Sequence, residues 1–151
     1  MFSPETDSRT QYTLAMKMHI YYNDTLEQVQ RSFNAEFPFL KLEFFTRPHE
    51  KGKPTEKQFM VNAKRTIDSC NPELKEATVS IPTAMTVQEL EKVFQDELGL
   101  YIQVFRKSGK VWLETTATDN WSLQKQNEEG QELSIRGFES KEDLPDYHEQ
   151  P

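Results

Sequence analysis

Two stretches of the chain carry the same arrangement of apolar and polar positions: TLEQVQRSFNAEFPFLKLEFF from Thr25, and TVQELEKVFQDELGLYIQVFR from Thr86. In the first, Leu26, Val29, Phe33 and Phe37 recur at helical spacing. In the second, Val87, Leu90, Val93, Phe94 and Leu98 do the same. Such a stripe predicts an amphipathic helix in each. Each helix opens on a capping box, Thr25-x-x-Gln28 and Thr86-x-x-Glu89, where the hydroxyl and the later side chain satisfy free amides of the first turn. At an offset of 61 residues Pro38 aligns with Gly99, and either residue ends a helix just past its last turn. A short apolar segment then follows in both copies. The alternation of Leu40, Leu42 and Phe44 against Ile102 and Val104 is out of step by one residue at that offset.

Apolar stretches also precede both helices. Leu14, Met16, Met18 and Ile20 alternate as in a half-buried strand, and ATVSIP at 77–82 predicts a shorter one. YIQVFRKSGKVWLETT predicts a β-hairpin turning at Ser108-Gly109, with Val111, Leu113 and Thr115 facing one way and Trp112, Glu114 and Thr116 the other. The order is β-α-β, a long insertion, then β-α-β-β. It predicts an α+β fold, a ferredoxin-like sandwich built by internal duplication from two βαβ halves plus an extra C-terminal hairpin strand. A ubiquitin-like α/β roll is the alternative.

The pattern lapses at both ends and in the middle. Residues 1–11 read as a flexible N-terminus, 12–126 as a single α+β domain with a basic insertion at 46–76, and 127–151 as an acidic, disordered tail. The insertion places Arg47, Lys51, Lys53, Lys57, Lys64 and Arg65 against two acids, Glu50 and Glu56. Its Pro48, Gly52 and Pro54 predict an exposed start, and Phe59 and Val61 are expected to pack over the core or form a short strand.

Composition narrows the function classes. The hydrophobic fraction is 35% and the net charge is −7, which opposes non-specific binding to nucleic acid or an anionic membrane by the surface as a whole. No apolar run approaches the roughly 20 residues needed to span a bilayer, and MFSPETDSRTQ lacks the apolar core of a signal peptide; a soluble, cytoplasmic protein is expected. One cysteine, Cys70, and three histidines, His19, His49 and His148, lack metal-ligand spacing. No catalytic residue, metal site or cofactor motif is expected, since no phosphate-cradling loop, nucleophile elbow or zinc-protease pattern appears.

The remaining chemistry gathers around the hairpin: Arg106, Lys107, Lys110, Trp112 and Trp121. Trp and Arg are favoured at protein-binding hot spots, so the first expectation is a non-enzymatic protein-binding or adaptor module acting through this surface, with another protein as partner. Cations beside aromatic rings also suit single-stranded nucleic acid. That makes a nucleic-acid-binding accessory protein the second reading, with the basic loop as its other contact. A small-ligand carrier, or an enzyme whose site is assembled from distant residues, is the third.

Overall fold

In the computed structural model, which describes residues 15–50 and 52–139, the chain runs β1 (Ala15–Tyr21), α1 (Leu26–Glu36), β2 (Leu40–Phe45) and a 3-10 turn at Lys57–Phe59. There follow α2 (Ile67–Cys70), β3 (Glu76–Pro82), α3 (Val87–Val93, continued by a π turn at Phe94–Leu98), β4 (Tyr101–Ser108), β5 (Val111–Glu114) and α4 (Leu123–Glu139). Both capping boxes form: Thr25 Oγ1 accepts from the Gln28 amide at 3.2 Å and Thr86 Oγ1 from the Glu89 amide at 3.1 Å. In return, Gln28 and Glu89 each accept from the amide of their own threonine. An N-cap of this kind is worth about 1 kcal/mol.

The architecture is α+β with two antiparallel sheets, β1-β3 and β2-β4-β5. A ferredoxin-like sandwich needs its four strands in one sheet, and here β2 pairs with β4 instead. The reason lies at the outer edge of β2, which is already occupied. Gln30 Nε2 donates to Leu42 O at 2.8 Å, Asn34 Nδ2 to Leu40 O at 2.8 Å, and Val61 N to Phe44 O at 2.7 Å. An edge satisfied in this way accepts no further strand. The expected hairpin strand is present as β5, though its register pairs Ser108 with Val111 and so puts Gly109 and Lys110 at the turn.

One core joins the inner faces of both sheets to the apolar stripes of α1 and α3. It holds Met18, Ile20, Val79 and Ile81 from the first sheet and Leu40, Leu42, Phe44, Ile102 and Val104 from the second. Phe33 and Phe94, at equivalent places in the two helices, are fully buried. On β1 the intervening His19 is exposed, donating to or accepting from Thr78 Oγ1 at 2.8 Å.

The halves match in backbone detail. Leu26 N donates to Arg65 O, Glu27 N to Ala63 O, Ile67 N to Asp24 O and Asp68 N to Tyr22 O. In the second half Val87 N donates to Trp121 O, Gln88 N to Asp119 O, Leu123 N to Met85 O and Gln124 N to Thr83 O. The bridges Thr25–Thr66 and Thr86–Ser122 repeat likewise. Residues 61 apart, Met18 and Val79, face each other at the centre of the β1-β3 pair, so the halves are related by a local two-fold axis. The one-residue mismatch of the strands is also explained. Three steps lead from buried Phe37 to buried Leu40, but only two lead from Leu98 to Leu100, through left-handed Gly99 at φ 65°.

The stretch from Leu123 to Glu139 is helical rather than tail-like. Gly130 makes this possible by letting α4 lie against Phe39 and Arg106, where an added Cβ would stand 2.9 Å from Phe39 Cβ. Short-range composition hides such a helix, because few large apolar residues are needed when the contact is backbone-close. The rest of the expected acidic tail, 140–151, and the expected flexible segment, 1–11, lie outside the described residues. The basic insertion is ordered where it returns: Met60 bridges Phe45 and Val61 enters the core.

Candidate functional site

The hairpin residues divide between two faces. In an antiparallel pair, opposed residues share a side and neighbours alternate. Arg106 stands opposite Leu40 and Leu113, whereas Lys107 stands opposite Trp112. Arg106 therefore points toward α4, where its Nη1 donates to Gln126 Oε1 at 2.7 Å and its guanidinium lies 5.4 Å from the Trp121 ring. Lys125 Nζ covers the same ring at 4.2 Å, so Trp121 is a half-buried element of the α4 start. Lys107 and Trp112 occupy the opposite face with Lys41, whose Nζ is 5.1 Å from the Trp112 ring. Lys110 is exposed at the turn.

Trp112 forms one wall of an open groove of about 350 Å³ between α1 and β2. The α1 side contributes Glu27, Gln30, Arg31 and Asn34, and the strand contributes Lys41 and Glu43. Its charges are paired internally: Arg31 to Glu27 at 3.1 Å and Lys41 to Glu43 at 3.2 Å. Opposite Glu43 stands Gln103, 2% exposed, with neither amide atom hydrogen-bonded among the described residues. An unmade buried bond of this kind costs about 1–3 kcal/mol.

The two-fold axis carries this groove onto a second one of about 270 Å³, between α3 and β4. Gln88 stands where Glu27 does, Glu91 where Gln30 does, and Gln95 where Asn34 does; Tyr101 and Ile102 replace Lys41 and Leu42. The arm closing it comes from the insertion, as Pro48 and His49. His49 Nε2 lies 2.8 Å from Glu91 Oε1 and Nδ1 lies 2.9 Å from Glu50 O. With Glu91 ionised both neighbours are acceptors, and the ring meets them as an imidazolium. Its hydrogen bond to Glu91 is the main cause that raises its pKa to about 9, against an opposing effect of burial. Burial pushes the Glu91 carboxyl upward, while His49 pulls it back down. A histidine with both nitrogens engaged has no lone pair for base catalysis. It fastens the insertion to α3.

The basic loop does not join the hairpin. Arg47 stacks 3.6 Å from the Phe59 ring, and Arg65 donates to Ser69 Oγ at 3.1 Å and Ser69 O at 2.9 Å. Lys53, Lys57 and Lys64 are exposed, and Lys51 lies outside the described residues. Cys70 is half-buried beside a cavity of about 170 Å³ with Arg65 and Tyr101. Among the described residues no cluster of His, Cys, Asp or Glu could hold a metal, and no helix is long and apolar enough to cross a membrane.

Both grooves escaped the sequence reading. The signal that would have found them is the repeat itself, followed onto the polar helix face: Gln30 and Asn34 on one copy, Glu91 and Gln95 on the other. No protein-family model matches the chain, and no curated protein or solved structure is significantly similar to it.

Proposed function

We propose that the chain is a non-enzymatic protein-binding module, that it arose by internal duplication, and that it holds a partner in the groove between α1 and β2 with Trp112 as anchor. The observation that carries this reading is the pairing of a half-buried tryptophan with a groove whose charges are already neutralised. A rigid aromatic wall offers a large contact area at little entropic cost. Neutral polar rims suit a protein surface. Nucleic acid would need cations left over for phosphates, and in this groove Arg31 and Lys41 are held by Glu27 and Glu43. Enzymatic chemistry has less support, because the half-buried His49 is committed at both nitrogens.

Capture of partners from native lysate by wild-type chain and by Trp112→Ala tests the proposal. The variant is expected to lose a nuclease-resistant protein partner, by tenfold or more in yield, with a melting temperature within a few degrees of wild type. A partner retained equally by the variant would refute it.

A further inference from the structure

The exchange of Gln30 for Glu91 across the two-fold axis changes what the strand edge offers. Leu42 O, Phe44 O and Val104 O all accept hydrogen bonds from outside the β2-β4 ladder, from Gln30, Val61 N and Thr115 Oγ1. The pairs Leu42–Val104 and Phe44–Ile102 therefore direct their backbone groups outward, away from each other. Ile102 is the remaining member of this set. β5 has ended by then, its last pair being Glu114 with Phe105. No hydrogen bond to the outward N–H or C=O of Ile102 occurs among the described residues. A glutamine at position 91 would cap that carbonyl as Gln30 caps Leu42. A carboxylate cannot donate, and His49 holds it toward the insertion.

We infer that the groove beside Ile102 is a second interaction surface, one that takes an extended, uncharged segment of a partner protein by strand addition to the outer edge of β4. The segment would lie antiparallel to β4 and continue the path of β5, exchanging one donor and one acceptor with Ile102. The chain already does this to itself at the equivalent edge. There the returning insertion pairs Met60 with Phe45, Val61 N bonds Phe44 O, and Thr46 N bonds Phe59 O at 2.9 Å. The groove's volume of about 270 Å³ is near the small end of ligand pockets and suits a short stretch of backbone. Its charges are internally matched, Glu91 to His49 at 2.8 Å and Lys92 to Asp96 at 2.8 Å. Recognition here is therefore by main chain, with side-chain specificity left to Tyr101 and Gln95.

Titration of 15N-labelled full chain with the peptide acetyl-Thr-Val-Thr-Val-amide tests this, reading the Ile102 amide resonance and the affinity. Wild type is expected to show a shift centred on Ile102. Glu91→Gln, which recreates the Gln30 cap, should weaken binding at least tenfold. His49→Leu breaks the same ion pair and carries no donor into the groove it shares with Ile102, so it should retain binding. Gln30→Glu should add a second shift at Leu42. Equal affinity in wild type and Glu91→Gln would overturn the inference, as would an Ile102 amide that the peptide leaves unmoved. Shifts confined to Trp112 would overturn it too, while leaving the Trp112 proposal standing.

Discussion

Among the differences between the two grooves, one side-chain atom decides how the strand edge is met. Gln30 carries an amide nitrogen and closes its strand edge, whereas Glu91 carries an oxygen in that place and takes an imidazolium instead. The energetic signature of that choice is pH dependence. The pKa of His49 is raised in the folded chain to about 9 from an ordinary 6.5. Its contribution is therefore fully present below about pH 6.5 and is lost as pH rises through 9. Burial of Glu91 acts against the pair, and the site is partly wet, so the net contribution is about 1 kcal/mol. Comparing denaturation of wild type and His49→Gln across pH 6 to 10 should show a gap of that size at pH 6 that closes by pH 10. A gap independent of pH would mean that His49 contributes by packing alone.

Helix ends and corners decide the fit of the elements. Gly99 ends the α3 segment at φ 65°, and a Cβ there would meet Asn71 Nδ2 at 2.6 Å, the same nitrogen that donates to Leu98 O at 2.7 Å. Gly99→Ala is expected to cost about 2 kcal/mol, from left-handed backbone strain and the displaced amide together. Chemical denaturation measures it, and a loss below half a kilocalorie per mole would show that the corner adapts freely. Much at this scale was legible from spacing. Both capping boxes, both apolar stripes and the stops at Pro38 and Gly99 follow from local physics that a few consecutive residues encode. Strand partners do not. β2 meets β4 while Gln30 and Asn34 cap carbonyls 12 and 6 residues further along on its outer edge, and no periodicity reports either. Of the hairpin residues, Trp112 lines the groove beside α1, whereas Arg106 and Trp121 belong to the other side of the sheet. The α4 helix was missed because its contact with the sheet runs through Gly130, a residue that reads as a helix breaker.

At the scale of the molecule, a local two-fold axis places two grooves around one core and gives each an arm from the opposite half. The first arm, bearing His49, is fastened by an ion pair; the second, bearing Trp112, rests beside Lys41 and Lys107. The net charge of −7 leaves long-range attraction to polyanions unfavourable, and the proposed partner contact is a short-range one. The chain has two tryptophans, which makes the central claim directly measurable. In a Trp121→Phe chain, Trp112 is the sole indole fluorophore, and titration with the captured partner should move its emission to shorter wavelength as the groove is covered. Full binding by anisotropy with an unchanged Trp112 spectrum would contradict the account.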